Sequence, residues 1–190
     1  MSKQYFDLHD DVYVPGRWML DDLRDAHGQT LDGNKFVKGV PLDFDGALRL
    51  PLYRHGIPLD FSELVGTRVP IVSRRVADLL LEMASNDIQS IPVRVETQAE
   101  EYFLINVRRT VKCIDDNRSA EVQYWTPQDG RPAKVGKYRA VMGMRVDPDQ
   151  IPPDINIFRP WGWTWTLVVS DAVRTSLLRL GATGMKFTAV

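Results

Sequence analysis

Val69–Val93 reads VPIVSRRVADLLLEMASNDIQSIPV, and Thr166–Val190 reads TLVVSDAVRTSLLRLGATGMKFTAV. The two stretches align without a gap at a spacing of 97 residues. Identities fall at Val72/Val169, Ser73/Ser170, Val76/Val173, Leu80/Leu177, Leu81/Leu178 and Val93/Val190. Each copy reads as strand, serine cap, helix, strand. A serine at the cap offers a side-chain oxygen to the free amides of the first turn. Val76, Leu79, Leu80 and Met83 recur at i, i+3, i+4 and i+7, the period of one helix face, and predict a helix over Ser73–Asn86. Asn86 would end it in the left-handed conformation. Val173, Leu177 and Leu180 predict a second helix over Ser170–Leu180, with Asp171 suited to the dipole of its first turn and Gly181 to its end. Two readings fit the match: a duplicated packing unit, or convergence of two capped amphipathic helices on a common pattern.

Working outward, the rest of the chain reads as short strands broken by turns. Tyr5–Tyr13, Ile88–Val95, Tyr102–Ile114, Glu121–Trp125, Arg139–Val146, Ile157–Trp161, Trp163–Val169 and Met185–Val190 are extended candidates. Ala47–Tyr53 is another, demoted to an edge or a bent strand by Pro51. Residues 21–46, punctuated by Gly28, Gly33, Gly39 and Gly46, read as mostly loop. Many strands with two principal helices predict an α+β fold. A mostly antiparallel sheet would carry the helices on one face, in a single domain over residues 1–190.

The chain has 190 residues, of which 44% are hydrophobic and 26% charged, with five Trp. A chain of this length buries roughly 70% of its unfolded surface and needs no metal or disulfide staple. The apolar content excludes a disordered chain. No run approaches the ~20 apolar residues a bilayer demands, and the opening MSKQYFDLHDD lacks a signal-peptide core. A single cysteine, Cys113, makes no internal disulfide, which fits a reducing cytoplasm. The net charge of −1 does not advertise nucleic-acid binding. Residues 1–60 carry 10 acidic and 7 basic side chains, with Asp10, Asp11, Asp21, Asp22 and Asp25 prominent. They read either as a solvated face or as an acidic rim for a basic partner, which would raise association rate more than affinity.

Catalytic signals are poor. Gly130–Lys137 (GRPAKVGK) superficially resembles a phosphate loop. Five residues separate its glycines where four are needed, and Tyr138 stands where Ser or Thr would hold magnesium. His9-Asp10-Asp11 has no further histidine to complete a metal site, and neighbours on a strand point to opposite faces. Cys113 lies among Arg108, Arg109 and Lys112 but in an apolar strand, the setting of an inert thiol. Asp115-Asp116 sits at a strand end, where Asp commonly receives free backbone amides. Arg74 and Arg75 stand in the first helical turn, where cations are disfavoured; they read as an anion site, or as Arg74 paired with Asp78 at i+4. No catalytic residue, metal or organic cofactor is expected.

The aromatic stretch Phe158-Arg159-Pro160-Trp161-Gly162-Trp163-Thr164-Trp165 is unusual. In an extended chain Trp161, Trp163, Trp165, Leu167 and Val169 share one face, mostly core, unless Gly162 breaks the register. Trp161, after a proline and before the glycine, is the one placed to reach the surface. Trp and Arg are favoured interface anchors, so Trp161 with Arg159 forms a candidate contact pair.

Four stretches carry a resemblance: Val12–Trp18 (VYVPGRW), Gly56–Ser62 (GIPLDFS), Val122–Tyr138 (VQYWTPQDGRPAKVGKY) and Phe158–Ser170 (FRPWGWTWTLVVS). Through them the chain resembles, essentially end to end, a bacterial immunity-protein family of polymorphic toxin systems, the myxobacterial type, formerly a domain of unknown function. The resemblance implies a small cytoplasmic protein that binds and neutralises a cognate toxin encoded nearby, with no nucleic-acid or membrane partner. It carries over no set of binding residues, so the candidates remain Trp161, Arg159, Asp21, Asp22 and Asp25. The same motifs are rich in Gly, Pro and Trp, as strand ends and turns require. Alternative readings are a small enzyme or ligand-binding domain, which a deep pocket lined by Asp115, Asp116 or His9 would favour, and a phage-related or scaffold accessory protein, which a self-complementary apolar surface would favour.

Overall fold

The computed structural model describes residues 3–190. Its strands are β1 (Tyr5–Asp10), β2 (Met19–Leu20), β3 (Leu48–Leu50), β4 (Leu52–Arg54), β5 (Phe61–Glu63), β6 (Pro70–Ser73), β7 (Ile88–Val95), β8 (Tyr102–Val107), β9 (Thr110–Val111), β10 (Glu121–Tyr124), β11 (Tyr138–Met142), β12 (Ile157–Pro160), β13 (Val168–Ser170) and β14 (Met185–Ala189). The helices are α1 (Arg74–Ala84) and α2 (Asp171–Arg179). The fold is α+β, as the pattern of elements predicts. The strands divide between two five-stranded sheets, ordered β14-β1-β13-β12-β9 and β3-β7-β8-β6-β5, with β2–β4 and β10–β11 as separate ribbons. Pairing is antiparallel except for β3–β7 and β12–β9.

The two sheets repeat one arrangement. β8 lies between β6 and β7, antiparallel to both, while α1 connects that outer pair. β1 lies between β13 and β14 in the same way, with α2 as the connection. The inserted strands are themselves 97 residues apart and both begin Tyr-Phe. Tyr102 faces Ser73 and Phe103 faces Val72, as Tyr5 faces Ser170 and Phe6 faces Val169. The first helical amides follow suit: Arg74 N–H donates to Glu101 O at 3.1 Å, and Asp171 N–H to Gln4 O at 2.9 Å. The repeat therefore extends from the helical unit to the central strands, and these are exchanged. Each half of the chain lends its first strand to the sheet of the other half.

The serine caps behave differently. Ser170 Oγ accepts from Val173 N–H at 3.5 Å, a helix cap, but Ser73 Oγ makes no such bond and donates to Asp60 instead. Asn86 does not take the left-handed conformation. Asp87 N–H returns to Ala84 O at 2.9 Å, closing α1 on an ordinary turn that leads straight into β7.

The helices are short, 11 and 9 residues, so packing rather than propensity holds them. Val76 and Leu80 of α1 and Val173 and Leu177 of α2 are buried in one cluster with Leu8, Phe61, Ile105 and Val169 from both sheets. A second cluster around Trp18, Phe36 and Leu104 supports the long loops of the first half, and a third gathers Tyr5, Cys113, Phe158 and Val168. Gly184 adopts φ +88°, and a β-carbon there would lie 2.3 Å from Phe61 O, so this crossing of the halves requires glycine.

Candidate functional site

β12 does not run on as an alternating strand. After Pro160 the chain turns: Trp163 N–H donates to Pro160 O at 3.1 Å, and Gly162 takes φ +78°. A β-carbon at Gly162 would sit 3.2 Å from the Tyr138 ring. The turn destroys the period of two, so the tryptophans separate. Trp161 is 39% exposed and Trp165 47%, while Trp163 half-buries against the third cluster. Trp161 reaches the surface as the proline and glycine suggest. Trp165, read as core, is instead exposed, and alternation gives way to a run of burial from Thr166 to Ser170.

Arg159 does not join Trp161 at the surface. It is 1% exposed, and its guanidinium donates to Thr164 O at 2.7 Å and to Arg68 O at 2.8 Å. Burial lowers its pKa to about 10, still well above neutral pH, so the side chain stays charged. As a fully buried group it braces the turn that displays Trp161 and Trp165 against the end of the β5–β6 hairpin. The contact pair expected from the sequence thus becomes an exposed tryptophan above a buried arginine.

The stretches Val122–Tyr138 and Phe158–Ser170 meet at this turn. Trp125, Lys137, Tyr138, Trp163 and Trp165 line a hollow of about 210 Å³. Three cations stand over the Trp125 ring: Lys134 at 5.1 Å, Arg131 at 5.2 Å and Arg139 at 5.4 Å from its centroid. Lys112 covers the Trp161 ring at 5.5 Å. Tyr124 and Tyr138 both donate to the carboxylate of Asp116, the latter at 2.8 Å, which ties this ribbon to the preceding loop. Burial is the main cause pushing the Tyr138 hydroxyl pKa up, and the neighbouring carboxylate adds to it. Gly130–Lys137, which fails as a phosphate loop, lies within the resembling stretch Val122–Tyr138 and supplies two of the cations over Trp125. Its basic residues interleaved with Trp125 and Tyr138 were the available signal.

The acidic residues lie elsewhere. Arg24, in their midst, pairs its backbone with Arg49 of β3, at the edge of the second sheet, whereas Trp161 N–H donates to Val111 O of β9, at the edge of the first. Asp25 Oδ1 accepts the amides of His27 and Gln29 at 2.8 and 2.9 Å, so this carboxylate organises its own turn. Asp21 approaches Arg24 at 3.9 Å, and Asp22 is exposed.

The remaining candidates resolve into structure. Cys113 is buried, and burial pushes its thiol pKa up to about 12, which suppresses the thiolate. Asp115 Oδ1 receives the amides of Asn117 and Arg118, each at 3.1 Å. Arg74 pairs with Glu101 and, at 3.9 Å, with Asp78. A cleft of about 600 Å³ opens between β1 and β5. His9, Arg54 and Lys186 line it as well, and of its other ions Arg17 pairs with Asp10 at 2.7 Å, and Arg68 with Asp7 at 2.8 Å and Glu63 at 3.3 Å. Among the described residues no group of three or more His, Cys, Asp or Glu is placed to hold a metal ion, and no helix is long and apolar enough to cross a membrane.

The sequence profile of the immunity protein family Imm11 matches residues 3–190. The chain belongs to this family. No curated protein matches it. In this immunity protein the four resembling stretches pair off in space. Val12–Trp18 meets Gly56–Ser62 through Ile57 N–H to Gly16 O at 2.8 Å and Trp18 Nε1–H to Ser62 Oγ at 2.9 Å. Trp18 is fully buried, so that pair holds the fold. The second pair combines a buried brace with exposed tryptophans, and it is the one that offers a surface.

Proposed function

We propose that this immunity protein neutralises its toxin without catalysis, by holding it one to one on a preformed surface centred on Trp161 and Trp165. The toxin is the product of a neighbouring gene, and the encounter takes place in the cytoplasm. The observation that supports this reading is the braced turn: two exposed tryptophans stand on a loop whose base is tied down by buried Arg159. Large rigid aromatic side chains that lose little freedom on binding are the common anchors of tight interfaces. Protection requires that almost no free toxin survive, which calls for nanomolar affinity or better, about −12 kcal/mol.

Asp21, Asp22 and Asp25 form a separate rim on the second sheet, with Asp22 the freest carboxylate. Their contribution is to steering, an effect that salt screens. Trp161→Ala should weaken toxin binding and slow the growth of toxin-exposed cells while leaving the protein folded. Triple Asp→Asn substitution should lower the association rate, less so at high salt. Deleting the gene and finding the cells no more sensitive to the neighbouring toxin would refute the reading as a whole.

A further inference from the structure

We infer that the partner presents an acidic protein surface to the Trp125–Trp161 face; this rests on the reading that the face binds the toxin. Lys112, Arg131, Lys134, Lys137 and Arg139 gather around three tryptophans, Trp125, Trp161 and Trp165. Among the described residues only Arg139 of these five makes an ion pair, with Asp129 at 2.9 Å. Asp116, close by through Tyr138, is occupied by two tyrosine hydroxyls. In a chain of net charge −1, this is a concentrated positive field on one small area.

Cations crowded over one indole repel each other. The ring face recovers part of that cost, and an incoming carboxylate cluster would recover more. The geometry also sets the partner's class. Lys134, Arg131 and Arg139 converge on a single ring, which makes a compact patch. A nucleic-acid strand instead calls for a track of cations spaced along successive phosphates, usually on a basic domain. A compact patch rimming exposed tryptophans matches the anatomy of a protein interface, with aromatic anchors inside and complementary charge around them.

The test is a binding-rate measurement on the full chain. Its probe is the catalytically inactivated product of the adjoining toxin gene. The variants are Lys134→Glu with Lys137→Glu, and a control of equal charge change on the exposed faces of the helices, Arg74→Glu with Arg179→Glu. Wild-type association should slow as salt rises. The Lys134/Lys137 variant should associate about tenfold more slowly at low salt and depend less on salt, the remaining dependence coming from a separate basic surface of the partner facing the Asp21–Asp25 rim, while the control stays within about twofold of wild type. Unchanged rates in the Lys134/Lys137 variant, or equal slowing in the control, would overturn the acidic-partner inference and leave the toxin-holding function standing. Absence of any wild-type complex would overturn both. A fluorescent single-stranded RNA of about 30 nucleotides serves as the second probe. Micromolar binding that the Lys134/Lys137 change abolishes would replace the acidic protein with nucleic acid.

Discussion

Asp60 and Asn156 occupy equivalent corners of the two halves, each receiving the hydroxyl of the serine that precedes a helix: Ser73 Oγ–H donates to Asp60 at 2.8 Å and Ser170 Oγ–H to Asn156 at 2.9 Å. The corners differ by one donor. The Asn156 amide reaches Met83 O, at the end of α1, at 3.2 Å. A carboxylate cannot donate, so at the other corner Arg75 bridges Asp60 to Leu180 O, at the end of α2, at 3.2 Å. Each half's helix end is thereby fastened to the other half, at Asn156 just before β12 and through Arg75 at Asp60 just before β5.

This corner predicts a pH dependence. Burial raises the Asp60 pKa, but Arg75, Thr183 and Ser73 outweigh it and hold the carboxyl well below the ordinary range. A depressed folded pKa means stability that is fully present above the unfolded value near 4 and lost as pH falls below it. Asp60→Asn should lower the urea midpoint at pH 7 and flatten its decline between about pH 4 and pH 2. An acid limb as steep as that of wild type would count against the assignment.

The shared core predicts symmetrical losses. Leu80 and Leu177 occupy equivalent positions, 3% and 0% exposed, in the same cluster. Leu80→Ala and Leu177→Ala should each cost about 2–5 kcal/mol. Leu81 and Leu178 also match in the repeat but lie on the outer face, 36% and 53% exposed, so alanine there should cost under about 1 kcal/mol. Chemical denaturation of the four variants checks both pairs.

The exchanged strands predict that neither half folds alone. Cutting between Thr97 and Gln98, in the turn joining β7 and β8, leaves each fragment without the central strand of its own helical unit. Each fragment alone should give the circular dichroism of an unfolded chain. Mixed together, they should recover the native spectrum as a one-to-one complex.

Arg159 and Trp161 should separate stability from binding. Arg159→Ala leaves the part-buried carbonyls of Thr164 and Arg68 without their donors, a loss of about 1 kcal/mol for each hydrogen bond. It should lower the melting midpoint. Trp161→Ala should lower the midpoint by less and leave the protein folded, because the residue is already 39% exposed and caps no buried carbonyl.

Much of this architecture was legible locally. Helix position, the strand at Ile88–Val95 and the fold class follow from periodicity, because an amphipathic element carries its own pattern of burial. The 97-residue repeat was visible in the helical unit. Its extension to Tyr5-Phe6 and Tyr102-Phe103 is not legible there, because two residues within a strand carry little signal until a shared register with the serines brings them together. Part of the candidate site was also legible: Trp161 followed from its proline and glycine, but Arg159 was misplaced.

The sequence by itself determined the two helices, several strands such as Ile88–Val95 and the exposure of Trp161, since each depends on neighbours within a few residues. Only the tertiary structure decided the exchange of β1 and β8, the burial of Arg159 and the gathering of cations over Trp125. Those depend on contacts between distant segments: Arg68 lies 91 residues before Arg159 and supplies the carbonyl that draws its guanidinium inward. A side chain's periodicity states which face it takes; whether that face meets solvent or another segment is settled by what packs against it.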